Sequence, residues 1–205
     1  INQENFKYFE KLNIKIPSEY SKITEAYRWI ENQPQPEQRS KAWFDARDNK
    51  ITASSAASAL DENKHASRSS YLIEKSSTEK EFLDNKYVHH GKKYEPILTM
   101  MYEHLNDVMV KEFGLIEHRD YPYLGASPDG IVSPTKRNSL EFTALFGRML
   151  EIKAPFSRKI EFTGDIDGTI CPHYYWIQVQ CQLEVCNLEK CDFWQVELSE
   201  YSSLD

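Results

Sequence analysis

Apolar side chains at Ile23, Ala26, Tyr27 and Ile30 recur at the spacing of one helix face, so residues 18–30 read as an amphipathic helix. Gln33-Pro34-Gln35-Pro36 ends it, because proline lacks the backbone donor and constrains the residue before it. Residues 52–60, rich in Ala and Ser, read as a second helix. A third is expected over 94–105, with Ile97, Met101 and Leu105 as its buried face and Pro96 in the first turn, where a helix tolerates it. Short apolar runs then take over. Strands are expected at 108–113, 121–124, 131–132 and 149–154, a helix at 174–186, and a last strand at 192–198. The organisation is an N-terminal helical extension over 1–36, read as an accessory, and a mixed α/β domain over 37–205.

At 205 residues the chain is long enough for one domain with a real core. Its net charge of -7 excludes a protein that coats nucleic acid by bulk attraction. Any DNA contact must be local, along a track of Arg47, Lys92, Lys93, Lys153, Arg158 and Lys159. The acidity at Glu184, Glu189, Asp192, Glu197, Glu200 and Asp205 lies elsewhere. Cys171, Cys181, Cys186 and Cys191 show no Cys-x-x-Cys pairing and read as small buried hydrophobes of a reduced, intracellular protein. A zinc site with His173, or an iron–sulfur cluster, is a poorer reading for lack of ligand spacing. No apolar run reaches membrane-spanning length, and no signal peptide is visible. The start at Ile1 rather than methionine points to processing or truncation.

The chemistry concentrates in two segments. In Leu150-Glu151-Ile152-Lys153 the period of a strand sends Glu151 and Lys153 to one face and Leu150 and Ile152 to the other. Asp129 stands between Pro128 and Gly130, at a corner before Ile131-Val132. If those strands pair, two carboxylates and an ammonium converge. Magnesium needs only one or two carboxylates and a substrate phosphate, and a lysine can hold an attacking water. The bland alternative for either segment alone is a polar hairpin. Their apolar flanks argue against it, since buried charges need a partner or a metal. Gln178 and Gln182, four apart, share a helix face, with Gln178 favoured to touch DNA or Lys153. His89, His90 and Asp120 are left out of the site.

Pro128-Asp129 followed by Glu151-Ile152-Lys153 resembles the signature of the PD-(D/E)xK nuclease superfamily, and its surroundings resemble the phage lambda exonuclease (YqaJ-type viral recombinase) branch. Trp43-Phe44-Asp45-Ala46-Arg47, Ile51-Thr52-Ala53-Ser54, Gly91-Lys92-Lys93-Tyr94-Glu95-Pro96 and Tyr175-Trp176-Ile177-Gln178-Val179-Gln180 follow its motifs in order, over about residues 40 to 197. The resemblance implies a restriction-endonuclease-like core with a central mixed β-sheet flanked by helices. It implies Asp129, Glu151 and the backbone carbonyl of Ile152 as metal ligands, Lys153 as the residue that positions water, and Glu95 as an additional acid. Arg47, Ser54, Ser127 and Gln178 match the positions that grip a 5′ phosphate, with Ser54 at a helix start. Two magnesium ions, with manganese as substitute, would be balanced by Asp129, Glu95, Glu151 and one phosphodiester.

The implied activity is a 5′-to-3′ exonuclease acting on duplex DNA with free ends, in viral recombination or repair. A single-strand-annealing partner, a homo-oligomer and a viral replication site in the host cytoplasm or nucleus fit the same picture, and no membrane is implied. The alternatives are a structure-selective or restriction-like endonuclease and a non-catalytic DNA-end-binding module, which would normally lack Lys153 or an acid. One departure is the longer connection over 133–149, whose Lys136, Arg137 and Arg148 could either line a DNA groove or decorate a solvated loop.

Overall fold

The computed structural model describes residues 14–34, 36, 38–77 and 86–199. Residues 1–13 of the expected extension, Gln35 of its break, and Glu200 and Asp205 of the acidic set lie outside them. After a 3-10 turn at Ser18–Tyr20 come α1 (Ser21–Glu31), α2 (Lys41–Asp48), β1 (Ile51–Thr52), α3 (Ala53–Ala59), α4 (Arg68–Ser76) and α5 (Lys86–Asn106). The second half carries β2 (Val110–Lys111), β3 (Ile116–Glu117), β4 (Leu124–Ala126), β5 (Gly130–Val132), β6 (Met149–Lys153), α6 (His173–Cys186) and β7 (Cys191–Gln195).

The strands form two mixed sheets. One has the order β1-β4-β3, with β1 parallel to β4 and β3 antiparallel to it. The other has the order β2-β5-β6-β7, antiparallel except for the parallel pair β6–β7. Alternation along β6 divides the core. Leu150 and Ile152, with Val132, pack under Leu98 and Tyr102 of α5. On the opposite face Met149 and Ile131 meet Ala26, Tyr27 and Ile30 of α1 and Val179 and Val185 of α6. Helices therefore cover both faces of the second sheet.

The leading helix is not an accessory. Its apolar stripe, read correctly as a stripe, is buried in the main core, with Ala26, Tyr27 and Ile30 at most 1% exposed. The Tyr27 ring stands edge-on to Phe113 and Phe146, at 5.6 and 5.3 Å between centroids. The long connection lies against the same helix. Tyr20 meets the Phe142 ring at 4.8 Å and donates its hydroxyl to the Ala144 carbonyl at 3.1 Å. Gly147, in left-handed backbone (φ 78), comes so close to α1 that a Cβ would stand 2.1 Å from Ile23 Cγ2. The cations of this connection find partners within the fold. Lys136 pairs with Glu141 at 2.7 Å, Arg137 bonds His104, and Arg148 bonds Asp192, which also accepts from the Tyr102 hydroxyl.

Helix α5 corrects a second expectation. It begins at Lys86, so Pro96 lies in its interior on an exposed position rather than in the first turn. Glu95 is thus not near a helix N-terminus. The buried face is His90, Leu98 and Tyr102, with Tyr94 packed against the same core, while Ile97, Met101 and Leu105 are 52%, 40% and 64% exposed. Two apolar stripes overlap on this helix, and the longer one, with a spacing of four from His90 onward, faces inward. Among the strands, Tyr121 and Tyr123 stay exposed ahead of β4, and β7 ends at Gln195. Helices α2 and α4 and strands β1 and β3 carry no expectation from the sequence pattern.

Candidate active site

Strand pairing sets Gly130 opposite Leu150, which carries Asp129 to the flank of β6. Gly130 is required by proximity, since a Cβ there would lie 2.2 Å from Val110 Cγ1 on β2. The Ile152 N–H donates to Asp129 Oδ2 at 2.6 Å, so the backbone of β6 fixes this carboxylate directly. Next in the strand, Glu151 is 2% exposed and surrounded by donors. Its Oε1 accepts from the Lys153 ammonium and from Gln178 Nε2 at 2.7 Å, and its Oε2 accepts from Gln182 Nε2 at 2.7 Å. Lys153 also lies 3.4 Å from Gln178 Oε1 and 4.4 Å from the centre of the Tyr175 ring. Both glutamines and the tyrosine come from α6. Glu95 stands at the rim on α5, accepting from Arg39 Nη2 at 2.7 Å.

The electrostatics follow from crowding. Burial, and then the neighbouring Glu151 charge, hold the Asp129 carboxyl well above the usual carboxylate range; Glu95 adds to this, while Lys153 and the Ile152 amide oppose it. For Lys153 burial works against the charge, but Glu151 and Asp129 outweigh it, so the ammonium keeps its proton more tightly than an ordinary lysine. As an ammonium it can orient a water by donating to it. Asp129 and Glu151 supply two hard carboxylate donors, with Glu95 at the rim near enough for its charge to act on Asp129. Among the described residues no group of three or more His, Cys, Asp or Glu forms a ready-made metal cage. That donor set fits magnesium, which keeps several waters and leans on one or two carboxylates, better than an enclosed zinc.

A second cluster adjoins the first. Ser40 caps α2 by accepting from the Trp43 N–H at 3.2 Å, and Trp43 and Arg47 then share a face, four residues apart. The guanidinium carbon lies 4.1 Å from the Trp43 ring centre, and Nη2 reaches Ser54 Oγ at 3.0 Å and Thr52 Oγ1 at 3.3 Å. Burial pushes the Arg47 guanidinium down to about 10, still charged at neutral pH. Trp43 Nε1 donates to Ser127 Oγ at 3.2 Å, two residues from Asp129. Arg47, Ser54 and Ser127 are thus brought together through Trp43 and Thr52. The Gln178 amide makes its hydrogen bonds to Glu151 and Lys153.

Gln182, Arg39 and Thr52 join these clusters without having been assigned a role from the sequence. For Gln182 the signal was its place one turn beyond Gln178. His90 is buried among the Tyr94 and Phe156 rings, and His89 and Asp120 are exposed, away from both clusters' hydrogen bonds. All four cysteines are free thiols, and burial pushes Cys171 and Cys181 up to about 11. No helix among the described residues is long and apolar enough to cross a membrane.

Residues 42–189 match the model of the YqaJ-like viral recombinase domain. An uncharacterized protein of Acanthamoeba polyphaga mimivirus is 46% identical over 174 residues, 85% of this chain but 32% of that protein, so the chain spans about a third of this relative's length. Among solved structures, an alkaline exonuclease from Laribacter hongkongensis superposes with a TM-score of 0.57 at 27% identity, covering 77% of this chain and 74% of its own. The same enzyme in complex with dAMP matches with a TM-score of 0.57 at 26% identity, covering 78% and 75%. The mixed sheets flanked by helices are accordingly a restriction-endonuclease-like core.

Proposed function

The chain belongs to the YqaJ-like viral recombinase domain family, and from that premise we propose that it is a magnesium-dependent deoxyribonuclease. It degrades one strand of duplex DNA from the 5′ end, leaving a 3′ single strand for recombination. The observation that carries this reading is the meeting of Asp129, Glu151 and Lys153 at the ends of β5 and β6, with both acids held by directed donors. The likeness to an alkaline exonuclease, which binds dAMP, and to a mimivirus protein supports a nuclease acting on DNA in a viral setting.

Asp129 and Glu151 would hold magnesium, with the Ile152 carbonyl and Glu95 in support; the ion, when bound, polarises the phosphoryl group and acidifies the attacking water. Lys153 orients that water and stays protonated. Gln178 and Gln182 fix the Glu151 carboxylate, and the Ile152 N–H fixes one oxygen of Asp129. Water attacks phosphorus, the bond from phosphorus to the 3′ oxygen of the terminal nucleotide breaks, and that oxygen takes a proton. The remaining strand then begins with a new 5′ phosphate. Arg47, with Ser54 and Ser127, offers a planar fork and hydroxyl donors suited to that group. The partner in this reading is duplex DNA with free ends. The 3′ strand would pass to a single-strand-annealing protein, and a homo-oligomer would suit continuous digestion.

Linear duplexes bearing a 5′ phosphate or a 5′ hydroxyl, and covalently closed circles, separate the outcomes. With magnesium, phosphorylated ends should be digested fastest and circles left intact. Lys153→Ala should abolish release, and Arg47→Ala should narrow the gap between phosphate and hydroxyl ends. Digestion of circles as fast as of ends, or undiminished cleavage by Lys153→Ala, overturns the reading.

A further inference from the structure

Arg39 lies just ahead of the segment that matches the family, in the turn between α1 and α2. Its backbone is left-handed, with φ 68, a conformation uncommon for a residue with a side chain and one that concentrates where function over-determines the local geometry. From that turn its guanidinium reaches Glu95, 56 positions away in sequence, and donates from Nη2 to Oε2 at 2.7 Å. The two side chains are 46% and 26% exposed, so the pair sits at the rim of the carboxylate cluster rather than inside it.

The charges explain why such a partner matters. Asp129 and Glu151 repel each other across the end of the sheet, and Glu95, on the facing helix, is close enough for its charge to act on Asp129. Lys153 is committed to Glu151 and Gln178. Without Arg39, Glu95 would lose this donor while the other acids still repel it, and, being partly exposed, could turn into water. An arginine fork sets the direction of a carboxylate as a lysine cannot. Among the described residues Glu95 Oε1 takes no hydrogen bond, so it can serve a cation or the cation's waters while Oε2 stays with Arg39. Arginine and metal therefore need not compete.

We propose that Arg39 is a positioning residue for the metal centre: it holds Glu95 turned toward Asp129, so that the third acid is in place before a divalent cation arrives. The inference rests on the reading of Asp129 and Glu151 as the metal acids.

The test measures the affinity of the whole chain for magnesium alone, without DNA, from the rise in melting temperature as magnesium is titrated. The variants are Arg39→Ala, Arg39→Lys, Glu95→Gln, the Arg39→Ala/Glu95→Gln double variant, and Glu151→Gln. Arg39→Ala should weaken magnesium binding about fivefold, the scale of a partly exposed ion pair. Arg39→Lys should recover part of this loss. The double variant should bind no more weakly than Glu95→Gln, because both changes remove the same contribution. Unchanged or tighter binding by Arg39→Ala, or losses that multiply in the double variant, overturns the proposal. If Arg39→Ala does not fold, Arg39→Gln is read with the same expectations. Glu151→Gln separates the two levels. Should it respond to magnesium like the parent, the metal reading itself fails; should it lose its response while Arg39→Ala keeps it, only the role of Arg39 fails.

Discussion

Replacing Lys153 with methionine keeps most of the side chain's length and removes its charge. In the parent the ammonium bonds Glu151, lies against Gln178 and the Tyr175 ring, and opposes the crowding that raises Asp129. Methionine takes away the ammonium that a 2% exposed Glu151 bonds and that offsets the charge around Asp129. Removing one partner of a buried pair costs about 3–5 kcal/mol. Proton uptake caps the cost here, because Asp129 is already biased toward its neutral form and each further unit of pKa is worth about 1.4 kcal/mol. We therefore expect the lower end, about 3 kcal/mol, or roughly 6–12 °C in melting temperature for a chain of this size. The measurement is denaturation in EDTA at neutral pH. Lowering the pH should shrink the loss as Asp129 protonates, and saturating magnesium should restore much of it by mass action. Cleavage should stay abolished throughout. A variant as stable as the parent in EDTA, or a loss indifferent to both pH and magnesium, refutes the picture of a cation holding two acids together.

Asp129 also sets a pH dependence in the parent. Its folded pKa lies above its unfolded one, so its contribution to metal-free stability is present at low pH and is lost as pH rises through the folded value. Magnesium needs the ionised carboxylate, so apparent affinity should rise with pH; calorimetry in buffers of different ionisation enthalpy should record protons released on binding, and none released contradicts the shift. Gly130→Ala sets a methyl against Val110 at 2.2 Å and should cost about 1–3 kcal/mol in urea unfolding, relieved in combination with Val110→Ala. Tyr27→Ala should cost about 3–5 kcal/mol by the same assay, as a core aromatic does, whereas a loosely attached helix would give well under 1 kcal/mol.

Glu151 and Lys153 were legible because strand period fixes which side chains share a face, and the pairing of β5 with β6 then needed only adjacency of two short apolar runs. The start of α5 was not legible. His89-His90-Gly91-Lys92-Lys93 gives no apolar rhythm, and the buried His90 does not advertise itself by polarity. Choosing between Ile97-Met101-Leu105 and Leu98-Tyr102 as the inner stripe requires knowing what stands opposite, which periodicity cannot supply. Two-residue strands such as β1 and β3 are too short to alternate. The bond from Gln182 to Glu151 and the pair formed by Arg39 and Glu95 join positions 31 and 56 residues apart, so they exist only once the chain has folded.

The rings of Phe142 and Phe146 are roofed by Tyr20 and Tyr27, and Gly147 leaves room for Ile23 alone. Each segment would leave the other's aromatic surface wet if it were deleted singly. Over evolutionary time the two segments should consequently change together. A lineage that trims the connection after β5 ought to have lost the upstream tyrosines as well, and a glycine at position 147 should track isoleucine or another bulky residue at position 23.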